Sequence, residues 1–341
     1  MTAARPLLAP SARRLWRDRE TLQLGRTPGS AVVLAGIGGV ARSLLALLDG
    51  SRDRAGVLRD APCPPDTTTA VLTLLEGAGL VTDAAEGRTA LAALERGERD
   101  RLAPDLVSLQ LLRPAGGQSS VRRRREARVV VAGAGRVGAP LAALLAVAGV
   151  GAVDVVDEGP VRPEDCGVGG LQLEALGRCR GDAARDLLAA VALSVRTVPV
   201  VLPDLVVLAP AAGQPLPEAP GSAPHLVAEV REATGVVGPL VLPGISACLH
   251  CLDLARTDRD PGWPALAAQL STPTGAVAAC DGPLALAVAA QAAQQVLAHL
   301  DGLSLPASLG GTLELALPDW RWRRRSWQLH PACGCAWRAT G

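Results

Sequence analysis

The sequence has no lysine, asparagine, phenylalanine or tyrosine, one methionine, and isoleucine only at Ile37 and Ile245. These residue types share AT-rich codons, so a GC-rich genome explains the bias without invoking function. The absences still remove chemistry, because neither a catalytic lysine nor a tyrosine acid is available. An excess of one charge sign is missing too: 34 basic and 33 acidic residues leave a formal net charge of +1. No global field draws the chain towards nucleic acid or an anionic membrane, and any polyanion site must be a local patch. Long apolar runs are also scarce. The uncharged stretches Val137–Val153 and Gly282–Leu300 fall around or short of the ~20 residues of a membrane span and read as buried helices. Met1–Trp16 carries several arginines and no apolar core of signal-peptide length, which predicts a cytoplasmic protein with no membrane partner.

What is present suits a folded protein of two domains: 341 residues, 49% of them apolar. From Thr21 the chain reads TLQLG, a turn at Thr27–Ser30, then AVVLAG, a hairpin pattern. Amphipathic segments over Val40–Leu48, Asp53–Asp60 and Thr67–Ala78 follow, the last running into GLVTDA. Residues 1–83 therefore predict a small winged-helix-like α+β module. A DNA-binding wing would share that pattern, but no helix here concentrates arginine on one face. Residues 84–127 form a charged, Gly- and Ser-containing connector whose Arg122–Arg125 run reads as solvated linker, and residues 128–341 make the second domain.

That domain opens with an apolar strand pattern, Arg128–Ala132, which leads into Gly133, Gly135 and Gly138 of a G-x-G-x-x-G turn and then a helix, Pro140–Ala148. Glycines suit such a turn because it is tight, its backbone approaches a phosphate, and the helix must pack on its strand. A second strand, Val153–Val156, ends on Asp157, placed to accept hydrogen bonds from a ribose. These residues alone would fit an NAD-dependent dehydrogenase.

The next motifs argue for something else. The block AGVGAVDVVDEGPVRPED resembles the ThiF/MoeB/HesA family, the ubiquitin-activating-type adenylyltransferases, as do LGRCRGDAARDLL, GPLVLPGISACLHCLDL and HPACGC further on. The likeness spans Arg128 to Trp337 with its motifs in the family order. It implies a Rossmann-like α/β domain with a mostly parallel sheet and helices on both faces, ATP as cofactor, and a homodimer. By the same resemblance Gly133, Gly135, Gly138, Asp157 and Arg180 become the nucleotide-binding candidates, with Arg180 at the family's phosphate lysine. Three departures stand against activity. The N-L-x-R-Q element falls on Asp165–Gly169, with Val168 where the arginine belongs; Arg180 replaces lysine with a different geometry; and Ala211 stands where the family has its magnesium aspartate. Losing a metal ligand and an arginine around a transferring phosphoryl group should cost several kcal/mol of barrier. Asp165 and Asp204 read as surface or capping residues, with an improvised metal site as the alternative, and no catalytic residue is assigned.

Of eight cysteines, four form close pairs far apart in sequence: Cys248 and Cys251 in a C-x-x-C, Cys333 and Cys335 in a C-x-C. Such pairs predict a closed four-thiolate zinc site of structural type, with a redox C-x-x-C as the alternative. His250 and His330 flank the thiols. Cys280 precedes the long apolar helix, where small-residue packing is the plain reading and a nucleophile the sharper one. In WRWRRRSW the alternation predicts an amphipathic edge strand, with Trp320 and Trp322 on one face and Arg321 and Arg323 on the other.

Together the module, connector, ThiF-like domain and cysteines resemble the ThiF-like leader-peptide-binding proteins that accompany azoline-forming cyclodehydratases. That resemblance implies a peptide partner, a YcaO-type modifying enzyme and a decayed adenylation site. The alternative is an active ATP-dependent adenylyltransferase charging the C-terminus of a small ubiquitin-like or sulfur-carrier protein.

Overall fold

The computed structural model describes residues 3–9, 12–26, 31–84, 94–112, 117–273 and 277–335. The expected turn Thr27–Ser30, part of the connector and Trp337 lie outside them. The chain divides into two compact units, Met1–Arg122 and Arg123–Gly341.

The first unit pairs strand β1 (Pro6–Leu8) with β5 (Val81–Asp83), and builds a three-stranded antiparallel sheet from β2 (Arg14–Trp16), β3 (Thr21–Leu24) and β4 (Val32–Ala35), with β3 central. The expected hairpin is β3–β4, its register running from Thr21 opposite Ala35 to Leu24 opposite Val32. Alternation sends Leu22, Leu24, Val32 and Leu34 into the core and leaves Val33 and Ala35 outside. Three helices follow: α1 (Gly38–Ala46), α2 (Arg54–Asp60) and α3 (Pro65–Gly77). Asp53 caps α2 by accepting the Gly56 N–H at 2.7 Å, and Pro65 starts α3 where no N–H is needed. Leu44, Leu45, Leu72 and Leu75 meet the strand leucines with essentially no exposure. Each contributes about 1.5–3 kcal/mol by leaving water.

The stretch read as a connector holds two helices, α4 (Arg96–Leu112) and α5 (Gly117–Glu126). At the end of α5 the arginine run is not simply solvated. Arg124 is buried, donating to both carboxylate oxygens of Asp301 at 2.7 and 2.6 Å and to the Ala148 carbonyl at 3.2 Å.

In the second unit a seven-stranded sheet runs β12-β11-β10-β9-β8-β6-β7, from β6 (Arg128–Ala132), β7 (Ala152–Val156), β8 (Leu205–Leu208), β9 (His225–Arg231), β10 (Thr234–Val241), β11 (Gly311–Ala316) and β12 (Arg321–Ser326). β7, β6, β8 and β9 are mutually parallel; β10 reverses, β11 reverses again and β12 once more, so five of seven strands share one direction. The helices are α6 (Gly138–Val147), α7 (Arg180–Val191), α8 (Leu249–Thr257), α9 (Trp263–Leu270) and α10 (Gly282–Asp301). Side chains at Val129, Val131, Leu205 and Val207 form one large core with α6, α7 and α10. The alternate positions Val206, Leu208 and Val227 face a smaller cluster under residues 216–223 and Leu249. Among the described residues no helix is long and apolar enough to cross a membrane. β12 is the expected edge strand, but it is not amphipathic: all six residues are exposed, and Trp320 precedes it at φ +52°. Among the described residues, Trp327 is the tryptophan that is buried.

Candidate nucleotide turn and cysteine cluster

The parallel strands β6 and β8 end side by side, and their outgoing chains meet at the glycine turn. Gly133 has φ +109°, and a Cβ there would collide with the Ala209 carbonyl; one on Gly138 would collide with the Gly133 carbonyl. Glycine is thus required for strand-to-helix packing whether or not a phosphate ever arrives. A Cβ on Gly135 would lie 2.8 Å from the Ala211 Cα, which puts the buried Ala211 methyl against the turn itself. Ala211 itself offers no oxygen ligand for magnesium, and the carboxylate oxygen nearest that Cβ position is Asp165 Oδ1, at 3.7 Å.

Asp157 sits at the end of β7, where Oδ2 accepts the Ala134 N–H at 2.8 Å and Oδ1 the Gly159 N–H at 3.0 Å. Arg180, the first residue of α7, reaches back into this corner. Its Nε donates to Asp157 Oδ2 at 2.9 Å, and its Nη1 donates to Asp165 Oδ2 and to the Pro160 carbonyl, both at 3.1 Å. All three side chains are more than nine-tenths buried. Burial alone would lower the Arg180 pKa, but the hydrogen bonds and charges of Asp157 and Asp165 outweigh it and hold it above its usual value. The residues expected to take ribose and phosphate are therefore bonded to one another. Asp165 is no surface residue: it also accepts the Arg162 N–H at 3.0 Å and closes a short capping turn. Asp204 is the cap it resembled, accepting the Arg128 N–H at 2.8 Å at the opposite end of β8. Sequence reasoning missed the Asp165–Arg180 pairing, since nothing local in PED announces a partner at Arg180.

The sulfurs of Cys248, Cys251, Cys333 and Cys335 all lie within 4.8 Å of one another, and this cluster could hold a metal ion. Neighbouring separations are 3.7 Å for Cys248–Cys251, 3.6 Å for Cys248–Cys333 and 3.4 Å for Cys251–Cys335. A tetrahedral ion at ~2.3 Å from each sulfur needs edges of about 3.8 Å, close to these. Cys248 caps α8 and Cys251 is its fully buried third residue, so one helical turn presents both thiols. The Cys251 thiol is the acidic one. Burial pushes it up, but the His330 and Cys248 backbone bonds and the neighbouring thiols bring it down to about 7. Burial pushes the Cys335 and Cys248 thiols up. The His330 N–H reaches the Cys251 sulfur at 3.4 Å, while its ring accepts the Ala332 N–H at Nδ1 and donates from Nε2 to Asp258 at 2.8 Å. It supports the cluster without needing to join it. Trp327 packs beside the cysteines, with the guanidinium groups of Arg256, Arg259 and Arg325 at 5.6, 5.6 and 5.7 Å from its ring.

Cys280 stands apart from this cluster. Burial raises its thiol pKa, although Arg136 opposes the shift, and its carbonyl accepts from Arg136 at 2.9 Å. Such a thiol is protonated at neutral pH and fits the packing reading.

Residues 107–203 match the ThiF family model. The match takes in the glycine turn, Asp157 and Arg180, and ends before Ala211 and the cysteine pairs. No curated protein matches the sequence. Among solved structures, the microcin C7 biosynthetic enzyme MccB in complex with N-formylated MccA superposes with a TM-score of 0.70 at 14% identity, over 97% of this chain and 99% of that one. E. coli MccB with ATP gives 0.70, 14%, 97% and 99%. PaaA gives 0.61 at 18% identity, over 76% of this chain and 92% of that one. At these identities the likeness is one of fold, and it runs through both units.

Proposed function

We propose that this chain, which carries a ThiF-family domain in an MccB-like fold, is a partner- or leader-peptide-binding component of a peptide-modifying pathway with a degenerate ATP and magnesium site. The observation that carries the reading is the buried Asp157–Arg180–Asp165 bridge beside Ala211. A nucleotide would have to break two buried ion pairs to claim its ribose and phosphate ligands, and would then find no carboxylate for magnesium at the end of β8. A peptide, by contrast, meets open structure in the first unit. Among the described residues β4 pairs only with β3, α3 packs against β4, and the exposed apolar side chains Val33 and Leu74 lie on these two elements. An extended segment can add a strand there, taking affinity from main-chain hydrogen bonds. Leu72, Leu75 and Leu80 belong to the core, which leaves Leu74 to face an added segment. MccB has itself been solved with MccA, and this supports the choice of partner.

In this reading zinc occupies the four-cysteine cluster and contributes fold stability, a YcaO-type enzyme performs the modification, and the chain works as a homodimer. The test pairs two measurements on one preparation: titration with any short precursor peptide encoded near the gene or, failing that, with a leader-peptide library, and ATP–pyrophosphate exchange. Saturable peptide binding with background exchange is expected. Robust exchange would instead establish the alternative, an active adenylyltransferase charging a small carrier protein.

A further inference from the structure

One cavity of the second unit, about 290 Å³, is walled by Arg136, Pro140, Asp165, Val168, the start of α10 at Gly282, and Leu286. It shares only Asp165 with the bridge described above. The charges on its walls are unbalanced in opposite senses. Arg136 donates through Nη1 to the Cys280 carbonyl at 2.9 Å, its Nε is sealed from solvent without a partner, and no carboxylate of the described residues lies within 4 Å of its guanidinium. A half-buried guanidinium left so is costly unless something else answers it. Asp165 has the complementary defect. Its Oδ2 takes the Arg162 N–H and Arg180, but its Oδ1 takes no hydrogen bond from any described residue and is not sealed from solvent. Arg180 alone serves both Asp157 and Asp165, so that trio carries one excess negative charge.

A simple anion would satisfy Arg136 but face this excess; a simple cation would do the reverse. A ligand with both charges a few ångströms apart satisfies both walls at once. Pro140, Val168 and Leu286 offer apolar surface between them, and the twenty-residue helix α10 aims the positive end of its dipole at the same space, its cap Asp281 being spent on the Leu284 N–H at 2.9 Å. We propose that this pocket binds a free α-amino acid with an apolar side chain, its carboxylate on Arg136 and its ammonium on Asp165. The assignment is independent of the peptide groove in the first unit.

The experiment is calorimetric titration of the full chain with L-leucine, N-acetyl-L-leucine and 4-methylpentanoate. L-leucine is expected to bind saturably, and the two analogues, which lack the ammonium, about ten-fold or more weaker, as loss of a charge-assisted bond requires. Arg136→Gln should weaken L-leucine by a similar factor. Because that variant disturbs a half-buried side chain, Val168→Trp serves as a second: Val168 is 81% exposed on the pocket wall, so the fold should tolerate it, while the larger ring should crowd the ligand and weaken binding several-fold. Equal binding of either analogue, absence of L-leucine binding, or full affinity in both variants would overturn the proposal.

Discussion

In this lysine-free chain arginine fills several roles, and its neighbours decide which. Arg124 lies in a run that reads as solvated because the residue that buries it, Asp301, is 177 positions away. No local pattern could reveal it. Arg124→Met should destabilise by about 3–5 kcal/mol, since it leaves the Asp301 charge buried and alone. Arg124→Lys should also destabilise, because an ammonium cannot reproduce the two-pronged contact. Urea denaturation measures both, and an unchanged midpoint in Arg124→Met would refute the role. His225 supplies a pH signature. Burial lowers its pKa below the usual 6.5, against the opposing bond with the Ala223 carbonyl. The unfolded chain therefore takes up a proton at a higher pH than the folded one, so stability should be full above about pH 6.5 and decline as the pH falls from there towards the folded value. Melting followed from pH 8 to 5 with excess zinc should show that acid limb, and His225→Leu should make it shallower, the remainder coming from His299, whose pKa burial also lowers. An equally steep limb in the variant would exclude His225 as its source.

Among the elements, β6, the glycine turn and α6 were legible in the sequence because strand, turn and helix there are set by neighbours in the chain. β12 was not, since alternation alone cannot tell an edge strand that covers a core from one exposed along its whole length. The cysteine clamp was legible through spacing, and it joins the first turn of α8 to a segment some eighty residues later. Its expected consequence is one zinc per chain and, for Cys251→Ser or Cys333→Ser, a melting temperature lower by roughly 10 °C or more, because metal-binding energy becomes folding energy. Metal analysis finding no zinc, with four freely reactive thiols in the native protein, would sink the assignment. At the end of β8, Ala211→Asp should not restore ATP–pyrophosphate exchange, because Val168 supplies no cation and Arg180 remains held by Asp157 and Asp165. Exchange rising well above the parent level would show that the missing carboxylate was the sole defect.

At the scale of the molecule, the sequence changes character near Arg128, while the compact units divide between Arg122 and Arg123, and the extent of the first unit was not legible. Its hairpin and helices were visible from periodicity, whereas β1 and β2 are three residues each, too short to show alternation. Both matter to the peptide groove. β2 covers the β3 edge that a lone hairpin would leave open, so the free row of backbone groups lies on β4, and β1 pairs with β5 next to α3. A fragment beginning at Thr21 would strip both strands, and peptide binding is therefore best measured on the full chain. If strand addition at β4 and apolar contacts with Val33 and Leu74 supply the affinity, Val33→Glu together with Leu74→Glu should weaken the peptide by about ten-fold or more. Both positions are 39% or more exposed, so the melting temperature should hardly change. Raising salt from low to moderate should also leave the affinity within a few-fold, whereas a nucleic-acid wing would lose orders of magnitude as counterions compete. Fluorescence anisotropy with a labelled precursor peptide, and with a DNA duplex as comparison, separates the two. Binding of the duplex alone, with a steep salt slope, would make the first unit a DNA-binding wing instead.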